Sequence, residues 1–278
     1  MTLPQFYVDD LIKRAVSEDI NYMDVTTDFL IDENQTTTAR FLSKDEGVLA
    51  GLEIALRVFT LLDSSVRFTV HKKDGDEVRR GDLIAEISGP TRALLKGERT
   101  ALNLVQHMSG IATATRKCVE RVEGTKATIA DTRKTLPGLR PLQKYAVLCG
   151  GGRNHRYNLS DAAMLKDNHI DAYGSLTKAV EALRAKAGHM LKIEVETRSL
   201  EELDEALAVG ADVIMLDNMD YDTMKEAVRR TNGRALLEAS GNVTLENIRQ
   251  VAECGVDLIS LGALTHSVTC FDISMKID

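Results

Sequence analysis

The chain has 278 residues, with 35 basic and 42 acidic side chains, which give a formal net charge of −7. Its 44% hydrophobic and 28% charged residues are typical of a globular protein. The acidic balance argues against a nucleic-acid-binding protein, and no apolar run approaches the ~18 residues of a membrane span. The start of the chain lacks the pattern of a secretory signal. Four scattered cysteines without a CxxC pair fit free thiols in a reducing cytosol. We therefore expect a cytoplasmic protein whose partners include neither nucleic acid nor membrane.

The first hundred residues indicate a small α+β domain. A helix is predicted over 11–16, a turn at 24–27, strands over 36–43 and 66–71, and a helix over 51–62. Turn signals at Asp74-Gly75 and Gly81-Asp82 separate further short strands. Residues 95–123 have helical periodicity that Gly110 interrupts, so either two helices or one broken helix is expected.

Six short apolar runs in the rest of the chain indicate a parallel sheet. The runs cover 127–134, 162–169, 191–197, 211–218, 234–242 and 256–263. Helical stretches separate the later runs: one begins with the capping signature Ser199–Glu202 and ends at Gly210, and another begins near Thr244. This alternation is typical of βαβ units. Because no GxGxxG fingerprint is present, it favours an α/β barrel over a dinucleotide-binding sheet.

Polar or glycine residues end all six runs. In an α/β barrel the active site lies at the carboxyl ends of the strands, so these residues are candidates for a functional rim. Basic residues come first along the chain: Arg133, Lys134, Arg153, His155, Arg156 and Lys166. Acidic residues follow: Glu194, Glu196, Asp217 and Glu238. A basic cluster on an acidic protein indicates an anionic substrate, and facing carboxylates suit Mg²⁺ that also bridges to substrate phosphates.

Two loops have the sequence expected of phosphate-binding sites. Three other residues have both a functional and a structural interpretation. Ser240-Gly241-Asn242 and Gly262-Ala263 follow the last two strands, where barrel enzymes often bind phosphate through backbone N–H groups. Glu194 shares a face with Glu196, but it could equally be a structural carboxylate. His169 and His266 fit either acid–base catalysis or structural hydrogen bonding. No GxSxG, HExxH or Walker motif is present.

Longer segments of the chain resemble the quinolinate phosphoribosyltransferase family. The resemblance runs nearly end to end, and its most specific part is the block from TRKT to KDNH within 131–170. The other matching segments are DVTT (24–27), GVLAGLEIA (47–55), ERTALNLVQHMSGIAT (98–113), EVET (194–197), MLDN (215–218), EASGN (238–242) and SLGALTHS (260–267).

The resemblance implies an α/β protein with an N-terminal α/β sandwich domain and an incomplete, TIM-like C-terminal α/β barrel. We assign 1–103 to the first domain and 104–268 to the barrel, with the tail 269–278 returning to the first domain. The family forms homodimers, sometimes assembled further. It converts quinolinate and 5-phosphoribosyl 1-diphosphate (PRPP), with Mg²⁺, to nicotinate mononucleotide, pyrophosphate and CO₂ in de novo NAD synthesis.

The resemblance also implies roles for individual residues. Thr132, Arg133, His155 and Arg156 would bind the quinolinate carboxylates, and Lys166 would lie between the two substrates. Glu196 and Asp217 would face the ribose and Mg²⁺, the ion being held directly or through water. Contacts to PRPP phosphates would come from Lys134, Ser240, Gly241, Asn242, Gly262 and Ala263, with Arg99 supplied across the dimer.

Three alternatives remain open at this point. A molybdate-associated paralogue shares the fold, but the intact TRK, HR and KDNH segments argue against it. Nicotinate phosphoribosyltransferase uses a monocarboxylate and need not carry two arginines for a dicarboxylate. A non-catalytic phosphate-binding protein is permitted by the fold alone, although it would not need both charged clusters.

Overall fold

The computed structural model describes residues 3–277 and divides the chain into two compact units. The first unit comprises Met1–Arg116, Leu136–Gly151 and Ser267–Asp278, and the second comprises Lys117–Thr135 and Gly152–His266. In chain order the elements are α1 (Gln5–Asp19), α2 (Val25–Leu30), β1 (Thr36–Ser43), β2 (Gly47–Val48), α3 (Leu52–Leu62), β3 (Arg67–Val70), β4 (Glu77–Val78), β5 (Leu83–Pro90), α4 (Thr91–Arg121), β6 (Thr128–Ala130), α5 (Arg140–Cys149), β7 (Ala163–Leu165), α6 (Asp167–Tyr173), α7 (Leu176–Lys186), β8 (Ile193–Thr197), α8 (Leu200–Ala208), β9 (Val213–Asp217), α9 (Tyr221–Thr231), β10 (Leu236–Ser240), α10 (Ile248–Glu253), β11 (Leu258–Ser260), α11 (Ala263–His266) and β12 (Ile273–Ile277).

The first unit is built on an antiparallel four-stranded sheet with the order β12-β1-β5-β3. Apolar side chains of α1, α3 and α4 pack with this sheet in one core, where Phe41 and Phe59 meet edge to face. The last strand, β12, pairs with β1 from Ala39–Ile277 to Ser43–Ile273. The C-terminal strand is therefore part of the first sheet.

The ranges of the two units differ from the domain ranges 1–103 and 104–268 expected from the sequence. Residues 104–116 belong to the first unit because α4 continues through them without a break. Residues 136–151 belong there as well, because Leu142, Ala146 and Val147 of α5 are buried in the core of that unit.

Two local predictions in the first unit were wrong. The expected turn at 24–27 is the start of α2, where Asp24 Oδ1 accepts the N–H groups of Thr26 and Thr27, each at 3.1 Å. The expected break at Gly110 is absent, since α4 runs unbroken for 31 residues. Gly110 is instead a site of close packing, because a Cβ there would lie 2.2 Å from the carbonyl oxygen of Thr269. Within residues 3–277, no helix is both long enough and apolar enough to cross a membrane.

The second unit confirms the predicted α/β barrel-like architecture. Its six strands are parallel in the order β6-β11-β10-β9-β8-β7, and each of the six predicted apolar runs contains one of them. Ser199 caps α8 as predicted, its side chain accepting the N–H of Glu202. Apolar residues of the strands and of α7–α10 form a separate core. The parallel arrangement places all six carboxyl ends at one edge of the sheet.

The contact at Gly110 generates a stability prediction. Gly110→Ala should lower the free energy of unfolding by roughly 1–3 kcal/mol, because an overpacked contact with the Thr269 carbonyl outweighs the gain of about 1 kcal/mol in helix propensity. Urea unfolding followed by circular dichroism measures the change. Gly188→Ala is the matched control, since its Cβ would meet no atom within 4 Å. Equal stability of the two variants would contradict the packing role.

Candidate active site

A cavity of about 370 Å³ opens at the carboxyl edge of the parallel sheet. It brings together ten of the candidates from the sequence: Thr132, Arg133, Lys134, His155, Arg156, Lys166, Glu196, Asp217, Glu238 and Ser240. Met164, Met215 and Ser260 complete the lining. The basic and acidic groups predicted from the ends of the strands thus share one cavity.

Asp131 holds the basic residues of two chain segments together. It follows β6 and is fully buried. Its Oδ1 accepts the backbone N–H of His155 at 2.8 Å, and its Oδ2 accepts the side-chain amide of Asn154 at 2.7 Å. Arg153 also pairs with the end of β6, donating its N–H to the Ile129 carbonyl at 2.8 Å. These bonds place His155 and Arg156 beside Arg133.

Arg133 and Arg156 form a cationic pair inside the cavity. Burial lowers the pKa of Arg156, and the nearby charge of Arg133 lowers it further. Nη1 of Arg156 donates to the Ala162 carbonyl at 2.9 Å, whereas Nε of Arg133 is buried without a partner among the described residues. Two repelling guanidinium groups and an unused donor create a strong preference for an anion between them.

His155 is held at both ring nitrogens. Its Nδ1 accepts the N–H of Arg156 at 2.8 Å, and its Nε2 lies 3.0 Å from Oε2 of Glu194 and 3.4 Å from Oε2 of Glu238. Burial acts to lower the pKa of His155, but hydrogen bonds with the two carboxylates outweigh it and raise the pKa to about 10. The two carboxylates favour an imidazole ring that is protonated at both nitrogens. The hydrogen bond from the Arg156 N–H favours instead a neutral ring with a lone pair on Nδ1. In either case Nε2 carries a proton.

Glu194 and Glu238 lie beneath the cavity at 5% and 1% exposure. Burial raises the pKa of Glu194, and Oε1 of each glutamate has no hydrogen-bond donor among the described residues. Together with His155 Nε2, their oxygens lie within 4.8 Å of one another, a spacing that could hold a metal ion. A metal on Nε2 would displace the proton that Nε2 donates to Glu194, so we interpret the three residues as a support for Arg156.

Lys166 and Glu196 form an ion pair on the opposite side of the basic cluster. Glu196 is held on β8, and Lys166 ends the segment that leads into α6. His169 has a capping role, because its Nδ1 accepts the N–H of Lys166 at 3.1 Å. This contact supports the structural interpretation of His169 and leaves Lys166 as the residue of this segment whose cation lines the cavity.

The predicted phosphate loops lie beside the lining residues. Ser240 ends β10 directly opposite Asp217 at the end of β9. At the last strand, Gly262 packs tightly against the side chain of Lys134, where a Cβ would lie 2.7 Å from Cδ. Thr265 Oγ1 donates to the Lys134 carbonyl at 2.8 Å. Lys134 and the loop containing Ala263 are therefore built as one cluster, with His266 also against Gly262.

Arg99 and Cys149 lie in the first unit. Arg99 is in α4, so it does not belong to the set that the second unit gathers. Cys149 ends α5, and burial raises the pKa of its thiol to about 11. A thiol with this pKa is a poor nucleophile at neutral pH.

Sequence reasoning missed Asp131 as a positioning residue and left Glu194 and Glu238 without a specific role. Asp131 directly follows a strand, which is the signal that marked the other candidates. Its hydrogen bonds reach residues more than 20 positions away, and such partners cannot be read from one local segment.

Comparisons with known proteins agree with this geometry. Residues 24–109 match the family model for the N-terminal domain of quinolinate phosphoribosyl transferase, and residues 111–276 match that for its C-terminal domain. The chain is 49% identical over 267 residues to a probable nicotinate-nucleotide pyrophosphorylase (carboxylating) of Bacillus subtilis, covering 96% of this chain and 92% of that protein. It is 46% identical to the nicotinate-nucleotide pyrophosphorylase (carboxylating) of Mycobacterium leprae, with 96% of each chain covered.

A solved structure gives the same result. The crystal structure of NadC from Streptococcus pyogenes aligns with a TM-score of 0.97 and 45% identity, covering 100% of this chain and 99% of that chain. Both halves of the sequence, the fold and the arrangement of strand-end residues lead to one assignment. The chain belongs to the quinolinate phosphoribosyltransferase family.

Proposed function

We propose that this chain transfers the phosphoribosyl group of PRPP to quinolinate and releases CO₂ and pyrophosphate, giving nicotinate mononucleotide for de novo NAD synthesis. The observation that carries the proposal is the half-buried pair of Arg133 and Arg156, which lines one cavity with the carboxylates of Glu196 and Asp217. A dicarboxylate suits the arginine pair. A ribose that develops positive charge suits the carboxylates.

The quinolinate end of the cavity is assigned to the cationic side. Arg133 offers its unused Nε, and Arg156 offers the donors that the Ala162 carbonyl does not take. Thr132 lines the same side. His155 contributes by fixing the backbone of Arg156, since both of its ring nitrogens have protein partners. A monocarboxylate would leave one of the two guanidinium groups without an anion, so the site favours quinolinate over nicotinate.

The PRPP end is assigned to the acidic side and the loops beyond it. Lys134 and the loop of Gly262 and Ala263 form one phosphate-binding cluster, and Ser240, Gly241 and Asn242 form the other. Backbone N–H groups at such loops suit phosphate oxygens. In this proposal the negative groups of the substrate meet hydrogen-bond donors, and the electron-poor ribose faces Glu196 and Asp217.

Glu196 and Asp217 suit Mg²⁺, either directly or through water. They are hard oxygen ligands at the rim of the cavity, and Mg²⁺ is usually bound by one or two carboxylates together with substrate phosphates. When bound, Mg²⁺ neutralises charge on the pyrophosphate. The trio of His155, Glu194 and Glu238 fits Mg²⁺ less well, because it offers a nitrogen ligand that already donates a hydrogen bond.

The side chains act mainly by positioning and by electrostatics. Arg133 and Arg156 hold the pyridine ring so that its nitrogen faces the anomeric carbon, which lowers the entropic part of the barrier. Glu196 and Asp217 stabilise positive charge on the ribose ring as the bond to pyrophosphate breaks. Lys166, paired with Glu196, lies between the two substrates. After transfer the bond between C2 and its carboxylate breaks, and CO₂ leaves. The bonding electron pair stays on C2 of the N-alkylated ring, and C2 then takes a proton from water to give nicotinate mononucleotide.

We also propose a homodimer or higher homo-oligomer in which Arg99 reaches the site of the neighbouring protomer. Large apolar side chains near the N-terminus support this proposal, because they are mostly exposed in the single chain: Phe6, Tyr22, Val25, Phe29 and Leu30. Exposed apolar groups in this density are typical of a surface covered by a partner.

A turnover assay tests the proposed reaction. Purified protein with PRPP, Mg²⁺ and quinolinate should give equal amounts of nicotinate mononucleotide and CO₂, and removal of Mg²⁺ by EDTA should abolish the reaction. Nicotinate in place of quinolinate is the control, with product measured by chromatography. Product from nicotinate would assign the chain to the monocarboxylate enzyme, and PRPP binding without product from either substrate would favour a paralogue or a phosphate binder.

Lys166→Ala should lower kcat by about 10²-fold while the fold is retained, because it removes a cation beside the reacting groups. The measurement is steady-state kinetics with a parallel thermal unfolding curve. Lys225→Ala is the matched control, since Lys225 is exposed and pairs with Asp222 on the surface of α9. Unchanged turnover in Lys166→Ala would remove this residue from the mechanism.

Mixing two inactive variants tests the shared site. Arg99→Ala and Lys166→Ala should each have little activity, but a hybrid dimer contains one site with both residues intact. Random exchange of equal amounts should therefore restore about a quarter of the wild-type activity per site. Subunits that exchange, as verified by mass spectrometry, without any recovery of activity would show that Arg99 does not act across the dimer.

A further inference from the structure

Asn218 adopts a left-handed backbone conformation, which asparagine accepts more readily than most residues that carry a Cβ. It follows Asp217 at the end of β9 with φ of 54°, and Asn242, after β10, has φ of 51°. Left-handed backbone costs free energy in residues other than glycine. Both residues lie at the rim of the cavity, next to side chains that the proposed function assigns to PRPP. Two left-handed asparagines thus follow the paired strands β9 and β10.

The side chains of these residues form a directed chain of hydrogen bonds. Asn218 Nδ2 donates to Oδ2 of Asp217 at 2.9 Å, and Asn218 Oδ1 accepts from Nδ2 of Asn242 at 2.9 Å. Because an ionised carboxylate can only accept, the Asn218 amide must turn its nitrogen to Asp217 and its oxygen to Asn242. The direction of the whole chain is therefore fixed.

Backbone contacts lock the same junction. The Asn218 N–H donates to the Ser240 carbonyl at 3.0 Å, which continues the pairing of β9 with β10. Gly241 has φ of 89°, and a Cβ there would lie 2.2 Å from Oδ1 of Asn218. Only glycine lets the loop approach the amide this closely. Further along, Asn247 Nδ2 donates to the Asn242 carbonyl at 3.0 Å.

We propose that Asn218 is a positioning residue that couples the Asp217 carboxylate to the loop Ser240–Asn242, so that the ribose and the 5-phosphate of PRPP are held at a fixed separation. The inference rests on the proposed function, and it adds a specificity-determining link to the PRPP side of the site. The bonds of Asn218 reach neither Arg133 nor Arg156, so its effect should be confined to PRPP.

Glycine variants test the link without adding backbone strain. Asn218→Gly removes both side-chain bonds, Asn242→Gly removes only the bond between the strand end and the loop, and glycine accepts the positive φ at each position. Asn232→Gly is the matched control, since Asn232 also has a positive φ of 45° but ends α9 outside the lining residues of the cavity. Asn218→Asp keeps the acceptor for Asn242 and places a second carboxylate beside Asp217.

The readouts are KM for each substrate and the Kd for PRPP by calorimetry with Mg²⁺. Asn218→Gly should raise the KM and Kd for PRPP about tenfold, since a hydrogen bond to a charged group is lost, and leave the KM for quinolinate unchanged. Asn242→Gly should reproduce part of this effect, and Asn218→Asp should be at least as impaired as Asn218→Gly. Asn232→Gly should behave as wild type.

Other outcomes would overturn the link. Unchanged PRPP affinity in Asn218→Gly and Asn242→Gly contradicts it, and so does an equal rise in KM for both substrates. A lower melting temperature with unchanged PRPP affinity would assign the amide chain a purely structural role. If wild-type protein binds PRPP without turnover, the calorimetric comparison still decides the role of Asn218, while the absence of turnover counts against the proposed function alone.

Discussion

Parallel pairing makes the six strands of the second unit end at one edge, and the chemistry of the chain depends on this constraint. Each strand is short, between three and five residues, so the residue that follows it stands at the rim. Side chains separated by more than a hundred positions, such as Lys134 and Gly262, come into contact for this reason. The loop before β7 adds His155 and Arg156, which Asp131 fixes beside the end of β6.

The arginine pair of this cavity and the glutamate pair beneath it each leave polar atoms without a partner among the described residues. Arg133 and Arg156 repel each other, and Nε of Arg133 is left without an acceptor. Beneath them, Glu194 and Glu238 share one histidine. Buried groups of this kind cost stability unless a ligand completes them. A dicarboxylate bound beside the arginines would supply the missing hydrogen-bond acceptors. Part of its binding free energy would then come from removing the cost of a buried, unpaired donor.

The sequence predicts the architecture and the cationic and acidic residues well, because both depend on local signals. Apolar runs of the right length located the six strands, and the polar residues that end these runs include most of the charged groups in the cavity lining, whereas His155 and Arg156 come from the loop before β7. The failures have a common cause. Gly110 was expected to break α4, but a glycine is needed there because the Thr269 carbonyl packs against it. The roles of Asp131 and Asn218 likewise depend on hydrogen bonds to other segments. Contacts between distant segments depend on strand register and packing, and the sequence of one segment does not determine either.

The pairing of β12 with β1 separates the order of synthesis from the order of folding. β12 supplies the edge strand next to β1, and Ile273 and Met275 are buried in the core of the first unit. β12 is translated after all the other described elements of both units. The N-terminal sheet therefore stays one strand short, with β1 as an unprotected edge, until β12 leaves the exit tunnel. During that interval the β1 edge is open to pairing with another nascent chain.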